Sequence, residues 1–219
     1  MYWIIFITFA LLSWIVSASL ERKFAKYSQV GISMTGKQVA EKMLRDSGIT
    51  DVQVVSTSGH LTDHYNPATK TVNLSESVYN SASIAAAAVA AHECGHAVQH
   101  QVEYAPLKMR TALVPVVNFA NRWVMWVILI GMLVFETFPQ LIYIGIGLYG
   151  LTTLFAFVTL PVEINASERA VAWLEESGVA DRETKEMASD ALHSAAYTYV
   201  VAALGSLAYL IYLILGTRR

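Results

Sequence analysis

The chain has 219 residues, 55% of them hydrophobic and 15% charged, with a mean hydropathy of +0.44; ordinary soluble domains carry roughly 25% charged residues, so a purely water-soluble fold is disfavoured. A net charge of −2 and a pI near 6.3 supply no basic field, and no Lys/Arg cluster could track a phosphate backbone, which argues against nucleic acid as a partner. The single cysteine, Cys94, allows no intramolecular disulfide, so folding does not depend on an oxidising compartment.

Four stretches, residues 2–20, 112–135, 141–160 and 195–215, are apolar over the roughly 20 residues that a helix needs to cross a bilayer. They predict a mostly α integral membrane protein with about four transmembrane helices, the lipid bilayer being one partner. Residues 1–20 read as an uncleaved anchor. Ser17-Ala18-Ser19 resembles a leader cleavage site, but no positive charge precedes the run, which is also longer than a usual leader core.

Residues 21–110 are predicted to form a small soluble α+β unit. A basic exit at Arg22, Lys23 and Lys26 is followed by an amphipathic helix with Thr35 as N-cap and Gly48 as its stop. Residues 51–57 alternate as a strand does, and residues 61–74 suggest two extended pieces around the Asn66-Pro67 turn. A short sheet beside the next helix is the expected result.

That helix carries His92-Glu93-Cys94-Gly95-His96, an H-E-x-x-H pattern. At 3.6 residues per turn the two imidazoles leave one face a turn apart, within reach of one metal, with Glu93 beside them to act on water. Six of the seven residues from Ala85 to Ala91 are alanine, the strongest helix former, and their small side chains let neighbouring elements approach closely. Cys94 reads as a small buried filler. A third histidine on the metzincin plan is excluded, because position 102 is Val102 and Gln99 replaces the required glycine; His100 reads as a rim group on the same face. A chance pair of histidines hydrogen-bonded inside a core is the competing reading, and the strongly helical flanks and an acidic third ligand downstream, Glu163, weigh against it.

Residues 111–160 are predicted as a transmembrane hairpin turning through Glu136-Thr137-Phe138-Pro139-Gln140, with Trp123, Trp126 and Tyr143 suited to interfacial depth. Pro161 is expected to end the third span, and residues 161–194 to begin a new helix with acidic residues in its first turn, where the dipole favours them. Within it, Glu163 is the better third metal ligand: Ala166, Ser167 and Ala170 at i+3, i+4 and i+7 give it a small-residue face for the alanine-rich helix. Glu168 points elsewhere, toward solvent or Arg169. Residues 195–219 complete the chain with the last span.

Of fifteen Lys and Arg residues, nine lie in 21–110, three in 161–194, one at Arg122 and two at Arg218 and Arg219, with none in 136–140. The positive-inside rule then puts the soluble unit on the cytoplasmic side of a bacterial plasma membrane, with Arg218 and Arg219 the exception.

His92-Glu93-Cys94-Gly95-His96 together with Leu160-Pro161-Val162-Glu163-Ile164-Asn165-Ala166-Ser167 resembles the YugP-type family of membrane-bound neutral zinc metallopeptidases, of gluzincin character. Residues 61–67 and 195–199 match that family's other characteristic stretches. The resemblance implies Zn2+ on His92, His96 and Glu163, with Glu93 as catalytic base. Asn165 departs from the family pattern, which has an acidic residue there.

The expected function is a zinc-dependent membrane endopeptidase acting on polypeptides, membrane-associated ones among them, by metal-activated water. An oxyanion donor besides zinc is sought among His193, Tyr197 and Tyr199, and spacing singles out none of them. An extended substrate could add to a sheet edge near residues 52–57 or 71–74. The alternative function is a non-catalytic membrane scaffold or chaperone adaptor with a structural zinc.

Overall fold

A computed structural model describes residues 2–59 and 61–217; Arg218 and Arg219, which complicate the topology, lie outside the described residues. In chain order the elements are α1 (Tyr2–Tyr27), α2 (Gly36–Asp46), β1 (Gln53–Thr57), β2 (His64–Asn66), β3 (Thr71–Ser75), α3 (Glu76–Tyr79), α4 (Ile84–Gln101), α5 (Ala105–Leu133), α6 (Gln140–Glu176) and α7 (Arg182–Gly216). The protein is mostly helical, with a small three-stranded sheet. Among the described residues four helices are long and apolar enough to cross a membrane, over Trp3–Tyr27, Ala105–Leu133, Gln140–Glu176 and Arg182–Gly216.

The chain forms two compact units. One comprises Val16–Tyr104 and Val162–Tyr197, and the other comprises Ala105–Pro161 with the start of α1 up to Ile15 and α7 from Thr198 onward.

In the first unit α4 is the central element. Ala85, Ala86, Ala87, Ala88, Ala90, Ala91, Cys94 and Ala97 are all buried. They share one core with Val39, Ala40, Met43 and Leu44 of α2, Val72 and Leu74 of β3, Val78 of α3, Ala170 and Leu174 of α6, and Ala188, Ala191 and Leu192 of α7. A helix apolar on every side is one enclosed on every side, and here alanine lets the enclosing elements come close. Cys94 behaves as predicted: it is fully buried, its Sγ donates to the Ala40 carbonyl at 3.5 Å, and burial pushes its thiol well above the ordinary range.

Local signals place α2 as expected. Thr35 Oγ1 accepts from the Gln38 N–H (3.3 Å), and Gln38 Oε1 accepts from the Thr35 N–H (2.9 Å), a reciprocal capping box. At the other end Gly48 takes φ +70°, its N–H reaching the Arg45 carbonyl and that of Ile49 the Leu44 carbonyl, which closes the helix in a Schellman turn. The sheet order is β1-β3-β2, with β1 parallel and β2 antiparallel to β3. The Asn66-Pro67 turn joins β2 and β3: Asn66 Oδ1 accepts from the Ala68 N–H (2.9 Å) and the Thr69 N–H (3.3 Å).

Two sequence expectations need correction. Residues 71–74 lie in the middle strand, hydrogen-bonded on both sides, so only β1 and β2 offer edges for an added strand. Pro161 does not end the third span; it sits inside α6, so Glu163 is an interior helical residue with no N-terminal dipole to favour it. Proline removes one backbone donor, but a long helix continues past it where its surroundings hold the backbone, as apolar helices commonly do. The apolar stretch 195–215 forms the later part of α7, which begins at Arg182 behind an Asp181 cap.

In the second unit α5 and α6 pack together, with Gly131 of α5 so close to α6 that an added Cβ would lie 2.8 Å from the Ile142 backbone nitrogen. Asn121, a polar residue in an apolar helix, accepts from the Thr152 hydroxyl on α6 at 2.9 Å. Trp14, Met125 and Leu133 are exposed, as a lipid-facing surface requires.

Candidate metal centre

The centre is assembled within the first unit from one turn of α4, one turn of α6 and the edge strand β2. Helical spacing on α4 stacks the His92 and His96 rings edge-to-face with centroids 4.8 Å apart. Glu163, 4% exposed, enters from α6: its Oε2 lies 3.4 Å from His92 Nε2 and 3.6 Å from His96 Nε2. One ligand atom from each of these residues lies within 4.8 Å of the others, a group that could hold a metal ion. The two nitrogen–oxygen separations are long for hydrogen bonds. They match the edge of a coordination tetrahedron, since an ion bonded at about 2.0–2.1 Å holds its ligands roughly 3.3–3.4 Å apart.

The far sides of both rings strengthen the fit. His96 Nδ1 meets Gln99 Oε1 at 3.1 Å, and His92 Nδ1 meets Ser167 Oγ at 3.1 Å. With each Nδ1 engaged by a protein group, both Nε2 atoms are turned toward Glu163, the arrangement that metal-binding histidines need. The residues present therefore fit zinc. Burial alone would lower the His96 imidazole, but the carboxylates of Glu163 and Glu93 outweigh it and hold the ring above its ordinary value.

The small-residue face of α6 meets α4 as the sequence suggested. A Cβ added at Gly95 would lie 2.7 Å from the Ala166 carbonyl oxygen, so the glycine inside the H-E-x-x-H pattern is what lets α6 come near enough to present Glu163.

Glu93 is buried at 8% exposure, and its Oε2 accepts the Tyr65 backbone N–H at 3.0 Å. The edge strand β2 is thus tied to the glutamate beside the metal group. His100 lies on the rim, 3.3 Å from the Tyr65 hydroxyl. Glu168 is exposed and outside the group; its neighbour Arg169 donates instead to Asn165 Oδ1 at 2.8 Å.

The candidate oxyanion donors fall on α7, within a continuous helix. His193 is exposed, pairs with Ser189 Oγ at 3.1 Å, and lines a cavity of about 270 Å³ together with Ser167 and Glu168. Tyr197 is 58% exposed, and Tyr199, 38% exposed, belongs to the second unit.

Sequence reasoning missed three participants. Gln99 was visible at i+3 from His96 on the same helical face, and Ser167 at i+4 from Glu163, but nothing in spacing alone said that either would meet a ring nitrogen. The Tyr65 contact uses a backbone N–H and carries no side-chain signature.

Comparison with known proteins places these features in a family. The family described as "Putative neutral zinc metallopeptidase" matches residues 2–218. A relative from Bacillus subtilis (strain 168), "Putative membrane protease YugP", is 42% identical over 207 residues, covering 93% of this chain and 91% of its own. No solved structure matches.

Proposed function

This chain belongs to the neutral zinc metallopeptidase family, and from that premise we propose that it is a membrane endopeptidase with zinc held by His92, His96 and Glu163 and with Glu93 as general base. The observation that carries the proposal is the Glu163 carboxylate oxygen set 3.4 and 3.6 Å from the two Nε2 atoms, close to a tetrahedral edge, with both imidazoles backed at Nδ1. Zinc, when bound, supplies Lewis acidity, polarising a carbonyl and lowering the pKa of water toward about 7.

The remaining chemistry belongs to the protein. The Tyr65 N–H fixes one oxygen of Glu93, leaving the other to take a proton from the attacking water and return it to the leaving amine. Because β2 is an edge strand whose Tyr65 N–H turns from the sheet toward Glu93, an extended polypeptide laid along β2 brings its peptide bonds past the base. His193 is our candidate for an oxyanion donor, since it shares a cavity with Ser167, which touches His92. Three protein ligands favour a catalytic site over the scaffold alternative, since a structural zinc is normally closed by four, and the group found among the described residues has three. The concentration of Lys and Arg in residues 21–110 supports an active site on the cytoplasmic side of a plasma membrane.

The test is metal analysis of the purified full-length protein beside His92→Ala and Glu163→Ala, with casein hydrolysis measured for wild type and Glu93→Gln. Wild type should carry zinc, the two ligand variants should lose it, and Glu93→Gln should keep zinc while losing at least about 10²-fold in turnover. Equal zinc in all proteins, or full turnover by Glu93→Gln, refutes the assignment.

A further inference from the structure

Gln99 is fully buried, and its amide is hydrogen-bonded at both ends. Nε2 donates to the Val162 carbonyl at 2.8 Å and to Asn165 Oδ1 at 3.1 Å, while Oε1 faces His96 Nδ1 at 3.1 Å. The reverse orientation would set the amide oxygen against two other acceptors, the Val162 carbonyl and Asn165 Oδ1. Asn165 is fixed in the same way, because its Oδ1 also accepts from Arg169 Nε at 2.8 Å, and a guanidinium can only donate. A fixed chain of donors and acceptors therefore runs from Arg169 through Asn165 and Gln99 to His96.

We infer that Gln99, with its amide oriented by Val162 and Asn165, is a positioning residue that holds His96 as the Nδ1–H tautomer and so presents the Nε2 lone pair to the metal. The opposite tautomer would point the Nδ1 lone pair at Gln99 Oε1, acceptor against acceptor, inside a site with no room for water to intervene. The support is uncharged: an amide stands where a carboxylate often backs a metal-binding histidine, and the Arg169 cation terminates the chain. Asn165, the departure from the family pattern noted in the sequence, is the link that lets one oxygen serve both donors.

This inference rests on the metal reading above, and the experiment separates the two. Zinc affinity of the full-length protein in detergent is measured by competition with a chromophoric chelator for wild type, Gln99→Met, Asn165→Leu and Asn165→Asp. Gln99→Met keeps the volume and removes the acceptor, so zinc should bind about 10–100-fold more weakly. Asn165→Leu should weaken binding by a smaller factor, because Gln99 keeps its bond to Val162; Asn165→Asp, still an acceptor for both donors, should bind zinc at least as tightly as wild type. Nitrogen-15 NMR of histidine-labelled, zinc-free protein at alkaline pH, where the rings are neutral, should show His96 as Nδ1–H in wild type and lose that bias in Gln99→Met. A purely structural Gln99 would lower the melting temperature without moving the tautomer. Should Gln99→Met fail to fold, the two Asn165 variants still decide. Unchanged zinc affinity in Gln99→Met, or equal weakening by Asn165→Leu and Asn165→Asp, overturns the inference while leaving the metal reading intact; a wild type that takes up no zinc overturns that reading itself.

Discussion

The tightest constraint on the centre is the approach of α6 to α4 at Gly95, and Gly95→Ala tests it with a single methyl. The added Cβ would stand 2.7 Å from the Ala166 carbonyl oxygen and 3.2 Å from that residue's Cα and carbonyl carbon, about 0.7 Å short of the 3.4 Å where ordinary contact begins. The three nearest atoms are all backbone, so no rotamer change relieves the clash and the two helices must separate. Overpacking of this kind costs about 1–3 kcal/mol. For a chain of this size that corresponds to a melting temperature lower by very roughly 2–12 °C.

The displacement falls where it matters. Gly95 adjoins His96, and Ala166 is one turn beyond Glu163, so separating the backbones lengthens the 3.4 and 3.6 Å spacings between Glu163 and the imidazoles by up to the same distance. A metal site tolerates about 0.5 Å of misplacement. Zinc affinity by chelator competition should therefore fall at least about 10-fold, in the range that loss of a supporting contact produces. Gly147→Ala, whose added methyl meets nothing within 4 Å, is the matched control and should leave zinc affinity unchanged. Zinc bound by Gly95→Ala as tightly as by wild type would falsify the argument that helix proximity delivers the third ligand.

Other consequences are smaller and separable. Thr35→Ala removes one half of the capping box on α2 and should cost about 0.5–2 kcal/mol in thermal unfolding with no change in zinc content. Tyr65→Pro deletes the N–H that holds Glu93, so hydrolysis should fall while zinc stays bound; loss of zinc in that variant would contradict the separation of base from ligands. Asp181 caps α7 by accepting from the Thr184 backbone N–H at 2.9 Å and from its hydroxyl at 2.7 Å, bonds that hold its carboxyl below the ordinary value. A depressed folded pKa gives stability that is present above the unfolded value near about 3.9 and is lost as pH falls through the folded one. Hydrogen-exchange protection of the first turn of α7 should therefore be flat from about pH 7 to 5 and fall below about pH 4, and Asp181→Asn should remove that dependence.

Much of this fold was legible because its determinants are local. The cap and stop of α2 involve residues within a few positions of one another, and a run of alanines has no competing conformation to offer. The apolar stretches announced four membrane-length helices, yet the helix carrying the third was expected to end at Pro161. A local breaker was taken to end a helix, whereas α6 continues because its later residues, Ala170 and Leu174 among them, pack into the same core as α4. Membership of the middle strand by residues 71–75 was equally out of reach, since strand order is set by non-local pairing.

The centre divides along the same line. His92 and His96 are fixed by the period of one helix, so their juxtaposition followed from spacing alone. Glu163 could be ranked above Glu168 because the small face it shares with Ala166 and Ala170 suits an alanine-rich neighbour, and the close approach at Gly95 is the physical form of that complementarity. What spacing could not supply was the set of groups that define each ring's hydrogen-bonding state, because these depend on which element arrives behind each imidazole. Ser167 arrives with the same helix as Glu163, so the approach that brings the carboxylate to the imidazoles also engages His92 Nδ1. Gln99 depends on that approach too, since the Val162 carbonyl and Asn165 side chain that orient its amide both come from α6. One helix packing against another thus sets which groups face both histidines, and a perturbation of that contact should change all of them at once.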